Sequence, residues 1–403
     1  MKTRSDEYDV IVVGAGPAGS MAAKKAAADC DVLLVEKRQE IGSPVRCAEG
    51  VPLKETPFIF HTSFEKYVET NKKWVASEVK GVCANAPDGT TVEVSGEMLG
   101  TDEPLGYILE RKLFDRQLAK DAARAGAQLM VRTRATGLIL EDGAVRGVKL
   151  NHLGEAFEAR ARVVVGADGI ESQVGRWGGI NTTLKLKDIE SCAQYHMQNV
   201  ELKENILDFY FGSEVPGGYA WVFPKGNDSG NIGLGVLGSK LGGKRPLDYL
   251  NTFVARHFPD SRPVELVVGG CPVSDELPTI VGDGLMLVGD AARHTEPITG
   301  GGIMAALQSG TIAGAVASKA VRQNNASSKV LREYENEWKA SFGKERKLMY
   351  KAKEFVVSLS DNEINTFFHA FAGITAGELN MKGAIRRLLG LDPTLMLKIR
   401  QLL

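Results

Sequence analysis

The six residues GAGPAG at 14–19 combine types and spacing suited to holding an anion. Glycines so placed permit a turn that a Cβ would obstruct, a close approach of the backbone to a pyrophosphate, and tight helix–strand packing. The N-terminus of the following helix then faces the phosphates. Glu36 ends the next apolar run, where its carboxylate can accept hydrogen bonds from both hydroxyls of a ribose. Gly289-Asp290 follows another apolar run, and an Asp there either accepts from a ribityl hydroxyl or caps the next segment. In Pro297–Ile303 the glycines place N–H groups at a helix start, where the positive end of the dipole stabilises negative charge. A reduced flavin carries such charge around N1 and the C2 carbonyl. These features imply one FAD site. Gly14, Gly16, Ala18, Gly19 and Glu36 would hold adenosine and pyrophosphate, Gly289 and Asp290 the ribityl chain, and Gly301, Gly302 and Ile303 the ring edge.

The elements that must position these residues follow from periodicity. Val10–Val13 reads as a strand, Ser20–Ala28 as a helix and Val32–Val35 as a second strand, the opening unit of a parallel sheet. RCAEG (46–50) is a loop, Val79–Val94 looks antiparallel, Arg111–Ala125 has helical period, and three strand-like stretches lead to GADG at 166–169. From Thr182 to Val268 the chain is rich in aromatic residues, Gly and Pro with little helical periodicity, which predicts β structure. The sheet resumes at Leu285–Val288, and a long small-residue helix follows the glycine loop. The fold class is therefore α/β. A Rossmann-like FAD-binding domain with a parallel sheet is expected from 1–78, 100–180 and 270–325, a mostly antiparallel substrate domain from 79–99 and 181–269, and a C-terminal helical domain from 326–403. In its last segment Met381, Ala384, Ile385, Leu388 and Leu389 recur at helical spacing beside Lys382, Arg386 and Arg387, a face for internal packing or for a membrane surface.

A chain of 403 residues, 43% hydrophobic and 25% charged, can bury a large core in two or three units. Its net charge of −1 gives no general attraction to nucleic acid. Five scattered cysteines show neither a disulfide framework nor metal-ligand spacing, so no metal is expected. No apolar run approaches the roughly 20 residues of a membrane span. The polar start MKTRSDEYDV lacks a signal-peptide core. The expectation is a cytoplasmic protein, soluble or peripheral on the inner face of the cell membrane.

GAGPAG with Glu36, GADG and GDAA (289–292) stand in the order and rough spacing of the flavoprotein superfamily that includes para-hydroxybenzoate hydroxylase, over about residues 8–315. That resemblance implies cofactor contacts by Lys37, Ala135, Asp168 of GADG, and Arg111, for which the alternative is a surface charge. Within the superfamily, PVRCAEG (44–50) and PGGYAWVFP (216–224) resemble the archaeal geranylgeranyl reductases, which saturate the isoprenoid chains of membrane lipids. The resemblance implies that Arg46, Cys47, Ala48 and Gly50 lie beside the flavin and that Tyr219, Trp221 and Phe223 bind a prenylated glycerolipid. Alternation along a strand puts those three aromatics on one face, which is either a hydrocarbon wall or ordinary core. Cys47 is either a small buried hydrophobe or a participant in proton delivery. The implied chemistry is hydride transfer from reduced flavin to an isolated alkene. The competing readings are an FAD monooxygenase and a non-catalytic flavin electron carrier. With no second nucleotide fingerprint, NADPH, NADH, ferredoxin and another reduced flavin all stay open as the electron donor.

Overall fold

The computed structural model describes residues 6–53, 63–69 and 71–378, with Gly383, Arg387 and Lys398 beyond them. The chain forms two compact units, each built from three separated segments. One comprises Met1–Val45, Arg111–Leu184 and Pro272–Lys347, and the other Arg46–Glu110, Lys185–Cys271 and Leu348–Leu403.

In the first unit Val-, Ile- and Leu-rich runs make strands buried on both faces, as a parallel sheet under helices requires. Glu7–Val13 pairs in parallel with Glu155–Gly166 on one side and Val32–Val35 on the other, and the sheet continues to Leu285–Leu287 and Gln128–Met130. Thr133–Glu141 and Ala144–His152 form an antiparallel extension from Glu155–Gly166. Two helices, Pro17–Ala26 and Ile303–Arg322, cross with almost no side chain between them. A Cβ on Gly310 would lie 2.1 Å from Ala18 O, and one on Gly314 2.4 Å from Ala22 O. Small residues along Ile303–Arg322 thus permit contact of backbone with backbone.

The second unit is a seven-stranded sheet whose neighbours run Arg262–Pro272, Ile189–Gln198, Ser229–Leu237, Tyr219–Gly226, Ile206–Tyr210, Gly81–Asn85 and Thr91–Ser95. One face packs on the helix Pro246–His257 through Leu250 and Phe253. The other carries Trp221 and Phe223 against Val79 and Ile108 of a three-stranded sheet, Gly50–Pro52, Gly106–Leu109 and Val75–Val79.

Several expectations need correction. Residues 46–78 and 100–110 belong to the second unit, because Gly50–Pro52 and Val75–Val79 both pair with Gly106–Leu109. The C-terminal helical region is no separate domain. In the helix Ser328–Ser358, Leu331, Tyr334 and Trp338 sit in the first unit's core, whereas Tyr350 and Lys353 bond to Asp188 and the Lys187 carbonyl in the second. Pro246–His257 is a helix inside the stretch expected to be β, with Pro at its first turn and the Asp248 carboxylate accepting from the Arg245 N–H at 2.8 Å. The proposed helix over 381–403 lies largely outside the described residues. Of its basic residues Arg387 is described, and it bonds to Glu378 Oε2 at 2.7 Å and to the Ala370 carbonyl.

Candidate functional site

The glycine turn is shaped as its spacing predicts. Gly14 has φ of +107° and donates its N–H to Val35 O at 2.8 Å. A Cβ on Gly14 would fall 2.2 Å from Ala167 O, and one on Gly19 would fall 1.9 Å from Gly14 O, so both are demanded by the protein's own packing. Gly16 differs, since a Cβ there would meet no protein atom within 4 Å. It caps Pro17–Ala26, which has Pro at its first turn, no side-chain cap and no acidic residue in the first turn. Its N-terminal N–H groups therefore face a cradle that a methyl group would fill, which fits a pyrophosphate. Ala18 lies between this turn and Gly289, whose Cβ would fall 3.0 Å from that of Ala18. Glu36 follows the strand Val32–Val35 directly, and its oxygens accept from Ala15 N at 3.1 Å and Arg38 N at 2.9 Å. A carboxylate accepts about four hydrogen bonds, so each oxygen retains capacity for a ribose hydroxyl.

Asp290, expected at the ribityl chain, is half-buried in the turn Gly289–Ala292, and its Oδ1 accepts from Thr295 Oγ1 at 2.7 Å. Burial pushes its pKa up, while Thr295 and Arg111 work in the opposite direction. Gly302 caps Ile303–Arg322, and a Cβ on it would lie 3.3 Å from Thr295 Oγ1 and 3.4 Å from Asp290 Oδ1. The structure thus brings Asp290 and the glycine-led helix start together. Arg111 is no loose surface charge. At the start of Arg111–Arg124 it makes a two-pronged bond to Asp115, at 2.8 and 2.9 Å. Asp168 Oδ2 accepts from Val174 N at 3.0 Å, while its buried Oδ1 has no hydrogen-bond partner among the described residues. Burial raises the Asp168 pKa, and Lys37, bonded to Glu171 at 2.8 Å, partly opposes that. The Ala135 methyl is packed in the core, which leaves its backbone as the part a cofactor could meet.

Sequence reasoning missed what shapes the glycine loop. Glu296 accepts from Ile298 N and from Thr299 N and Oγ1, and the Gly300 N–H closes the turn onto Glu296 O. Buried Arg346 donates to the carbonyls of Arg293, Thr295 and Ser274. Beside it, His294 stacks on Trp338 with ring centroids 3.8 Å apart, and burial holds its pKa well below the ordinary histidine value. The signal available in sequence was slight, an acidic residue next to a glycine run and an arginine 50 residues further on.

In the second unit, the three aromatics share a face. Trp221 and Phe223 are buried, Tyr219 is half-buried, and Phe209 meets Tyr219 and Phe223 edge-on at 5.4 and 5.5 Å. Trp221 and Phe223 are therefore part of a packed apolar cluster that also includes Ala48 and Cys192. Alternate glycines on the next strand make this possible, since a Cβ on Gly233 would lie 2.5 Å from the Trp221 ring. Cys47 Sγ accepts from Glu49 N at 3.2 Å. Glu49 itself has φ of +77°, a conformation costing a non-glycine residue about 1–3 kcal/mol. Arg46 packs its side chain near Gly269, and Gly50 pairs with Ile108.

A parallel Rossmann-type sheet, a glycine cradle at a helix start, and an acceptor at the end of the second strand define a dinucleotide-binding flavoprotein. Family models describe residues 12–70 as an NAD(P)-binding Rossmann-like domain, 76–224 as an FAD binding domain, and 188–271 as a geranylgeranyl reductase catalytic domain. The digeranylgeranylglycerophospholipid reductase of Methanocella arvoryzae is 49% identical over 392 residues, 97% of each chain. That of Methanosarcina mazei is 47% identical over 98% of this chain and 96% of its own. A crystal structure of a geranylgeranyl bacteriochlorophyll reductase-like protein from Thermoplasma acidophilum superposes with a TM-score of 0.90 at 36% identity, covering 98% of this chain and 99% of that one. The chain belongs to the digeranylgeranylglycerophospholipid reductase family. Among the described residues, no helix is long and apolar enough to cross a membrane.

Proposed function

We propose that this protein is an FAD-dependent reductase that saturates the prenyl double bonds of archaeal-type glycerophospholipids. The observation that carries the reading is full-length identity of 43–49% to curated reductases of that name, in a chain whose glycine cradle, Glu36 and Asp290 fit FAD. When bound and reduced, the flavin supplies a hydride equivalent to one alkene carbon, and a proton completes the other. The protein's own groups bind and orient. The N–H groups at the start of Pro17–Ala26 take the pyrophosphate, Glu36 the ribose, Asp290 the ribityl chain, and the start of Ile303–Arg322 the electron-rich ring edge. Asp168 and Arg111 belong to the same unit and the same proposal.

In the second unit, the apolar surface around Tyr219, with Cys47 in the neighbouring loop, is proposed to take the prenyl chain. An isolated alkene offers no carbonyl to polarise, which accords with a surface of aromatic and aliphatic groups rather than an oxyanion hole. An electron donor is required to reduce the flavin, and a nicotinamide, a ferredoxin or another reduced flavin would serve. Because the substrate is a membrane lipid, peripheral contact with a bilayer is part of this proposal.

The experiment is anaerobic. Holoenzyme with photoreduced flavin is mixed with vesicles of a geranylgeranylated glycerophospholipid, and the flavin absorbance and the lipid mass are followed. Flavin reoxidation with addition of one H2 per double bond is expected. Reduced flavin that persists with the lipid, yet is consumed together with oxygen and a small aromatic substrate, would instead establish the monooxygenase reading.

A further inference from the structure

Three side chains that the proposed chemistry leaves unused hold the segment Cys47–Glu49 from one end to the other. Gln194 Nε2 donates to Cys47 O at 3.2 Å, Asn231 Nδ2 donates to Ala48 O at 3.2 Å and to Glu49 Oε2 at 2.8 Å, and Lys225 Nζ reaches Glu49 Oε2 at 2.7 Å. Gln194 and Asn231 stand on neighbouring strands. The pairings Gln194 with Gly233, Trp221 with Gly233, and Phe223 with Asn231 set both on the face that carries Trp221 and Phe223. Gln194 serves both partners at once, because its Oε1 accepts the Trp221 indole N–H at 2.8 Å while its amide nitrogen holds Cys47. Next in the loop, a Cβ on Gly50 would lie 3.0 Å from the Phe223 ring, so loop and aromatic strand also touch directly.

The ion pair at the centre is buried, with the Lys225 and Glu49 side chains 7% and 5% exposed. Glu110 gives Lys225 a second carboxylate at 2.7 Å. Two buried charges are tolerated when their partners are complete, but an apolar pair of equal volume stabilises a fold as well or better. Stability therefore does not call for this arrangement, and still less for a glutamate at φ +77°. What it does provide is a single geometry for the loop relative to the indole.

We infer that Lys225, Asn231 and Gln194 are positioning residues that lock the Cys47 segment to Trp221, so that loop and aromatic strand present one preset surface to the prenyl chain. This rests on the reading that this surface binds the chain. The clamp acts through backbone carbonyls and a carboxylate, and none of its three members needs to meet the lipid.

The test uses the FAD-loaded full chain carrying Lys225→Met or Glu49→Gly. The second variant guards against simple misfolding, because glycine is unstrained at this φ and Lys225 keeps Glu110. Two quantities are read, anaerobic reoxidation of reduced flavin by geranylgeranylated phospholipid vesicles, and the rate of Cys47 alkylation by mass spectrometry with Cys30 as internal reference. The expected result is at least tenfold slower reoxidation by lipid and at least tenfold faster Cys47 alkylation, with Cys30 alkylation and reoxidation by oxygen within twofold of wild type. Lipid reoxidation or Cys47 alkylation equal to wild type in either folded variant would overturn the inference. If wild-type enzyme itself is not reoxidised by the lipid, the functional reading fails instead, and the alkylation rates still decide whether the clamp exists.

Discussion

Replacing Gly16 by alanine should separate folding from cofactor binding. Gly16 sits at φ −72° and ψ −177°, a conformation alanine adopts readily, and the added methyl meets no protein atom within 4 Å. The apoprotein should therefore fold much as before, because the gain of about 0.4–1 kcal/mol from a stiffer unfolded chain is offset by the poorer N-cap preference of alanine at the start of Pro17–Ala26. With FAD the same methyl intrudes between backbone and pyrophosphate. Overpacking costs about 1–3 kcal/mol, and displacing the phosphates from their N–H donors removes charge-assisted bonds worth about 1.5–3 kcal/mol each. A combined loss of about 3–5 kcal/mol weakens FAD binding roughly 150- to 5000-fold. Thermal unfolding of the apoprotein and titration of FAD by quenching of flavin fluorescence measure the two effects separately. Gly19→Ala is the contrast, since its Cβ would lie 1.9 Å from Gly14 O and must disturb the turn whether or not flavin is present. A Gly16→Ala protein that unfolds like Gly19→Ala, or that binds FAD as tightly as wild type, would refute the placement of the pyrophosphate.

Two further outcomes follow from the same unit. Burial raises the Asp290 pKa, so the native apoprotein binds that proton more tightly than the unfolded chain and loses stability as pH rises from the ordinary aspartate value, about 3.9, through the raised one. Asp290→Asn keeps an acceptor for Thr295 and removes this slope. In urea titrations the variant apoprotein should exceed wild type at neutral pH and match it below the ordinary aspartate pKa, and a gap independent of pH would contradict the assignment. Gly310→Ala places a Cβ 2.1 Å from Ala18 O and should lower unfolding free energy by about 3 kcal/mol in denaturant titration. An unchanged midpoint would mean that the two helices can part freely.

The parts of the site legible in sequence were the local ones. GAGPAG, Glu36 and Asp290 each lie at a strand end, so a short window carries both the element and the chemistry. The alternation of Tyr219, Trp221 and Phe223 was readable for the same reason, although period alone did not reveal that Trp221 and Phe223 would be buried. Pro246–His257 was overlooked despite Pro246 and the Asp248 cap, because Leu250 and Phe253 are the whole of its fully buried apolar face. The boundary near residue 46 was missed for a different reason. Gly50–Pro52 finds its partner at Gly106–Leu109, and strand pairing over such a separation leaves no local trace. Glu49 and Lys225 were hidden likewise, since a charged residue in sequence looks like a solvated one until its partner, 176 positions away, is known.

The segmented first unit also bears on how the protein is made. Glu7–Val13 takes its parallel partner from Glu155–Gly166, whose own next neighbour is Leu285–Leu287. At ribosomal speeds of about 5–20 residues per second, on the order of tens of seconds pass between the emergence of the first strand and that of the last. Until Gln128–Met130 and Glu155–Gly166 emerge the nascent chain carries the bare apolar edges of Val32–Val35 and Glu7–Val13, and from then until Leu285–Leu287 emerges the edge of Glu155–Gly166, the exposure that invites mispairing. Pairings so distant in sequence also slow folding once the chain is complete. Yield in a foreign host should therefore depend more on chaperone supply than on the stability of the finished enzyme.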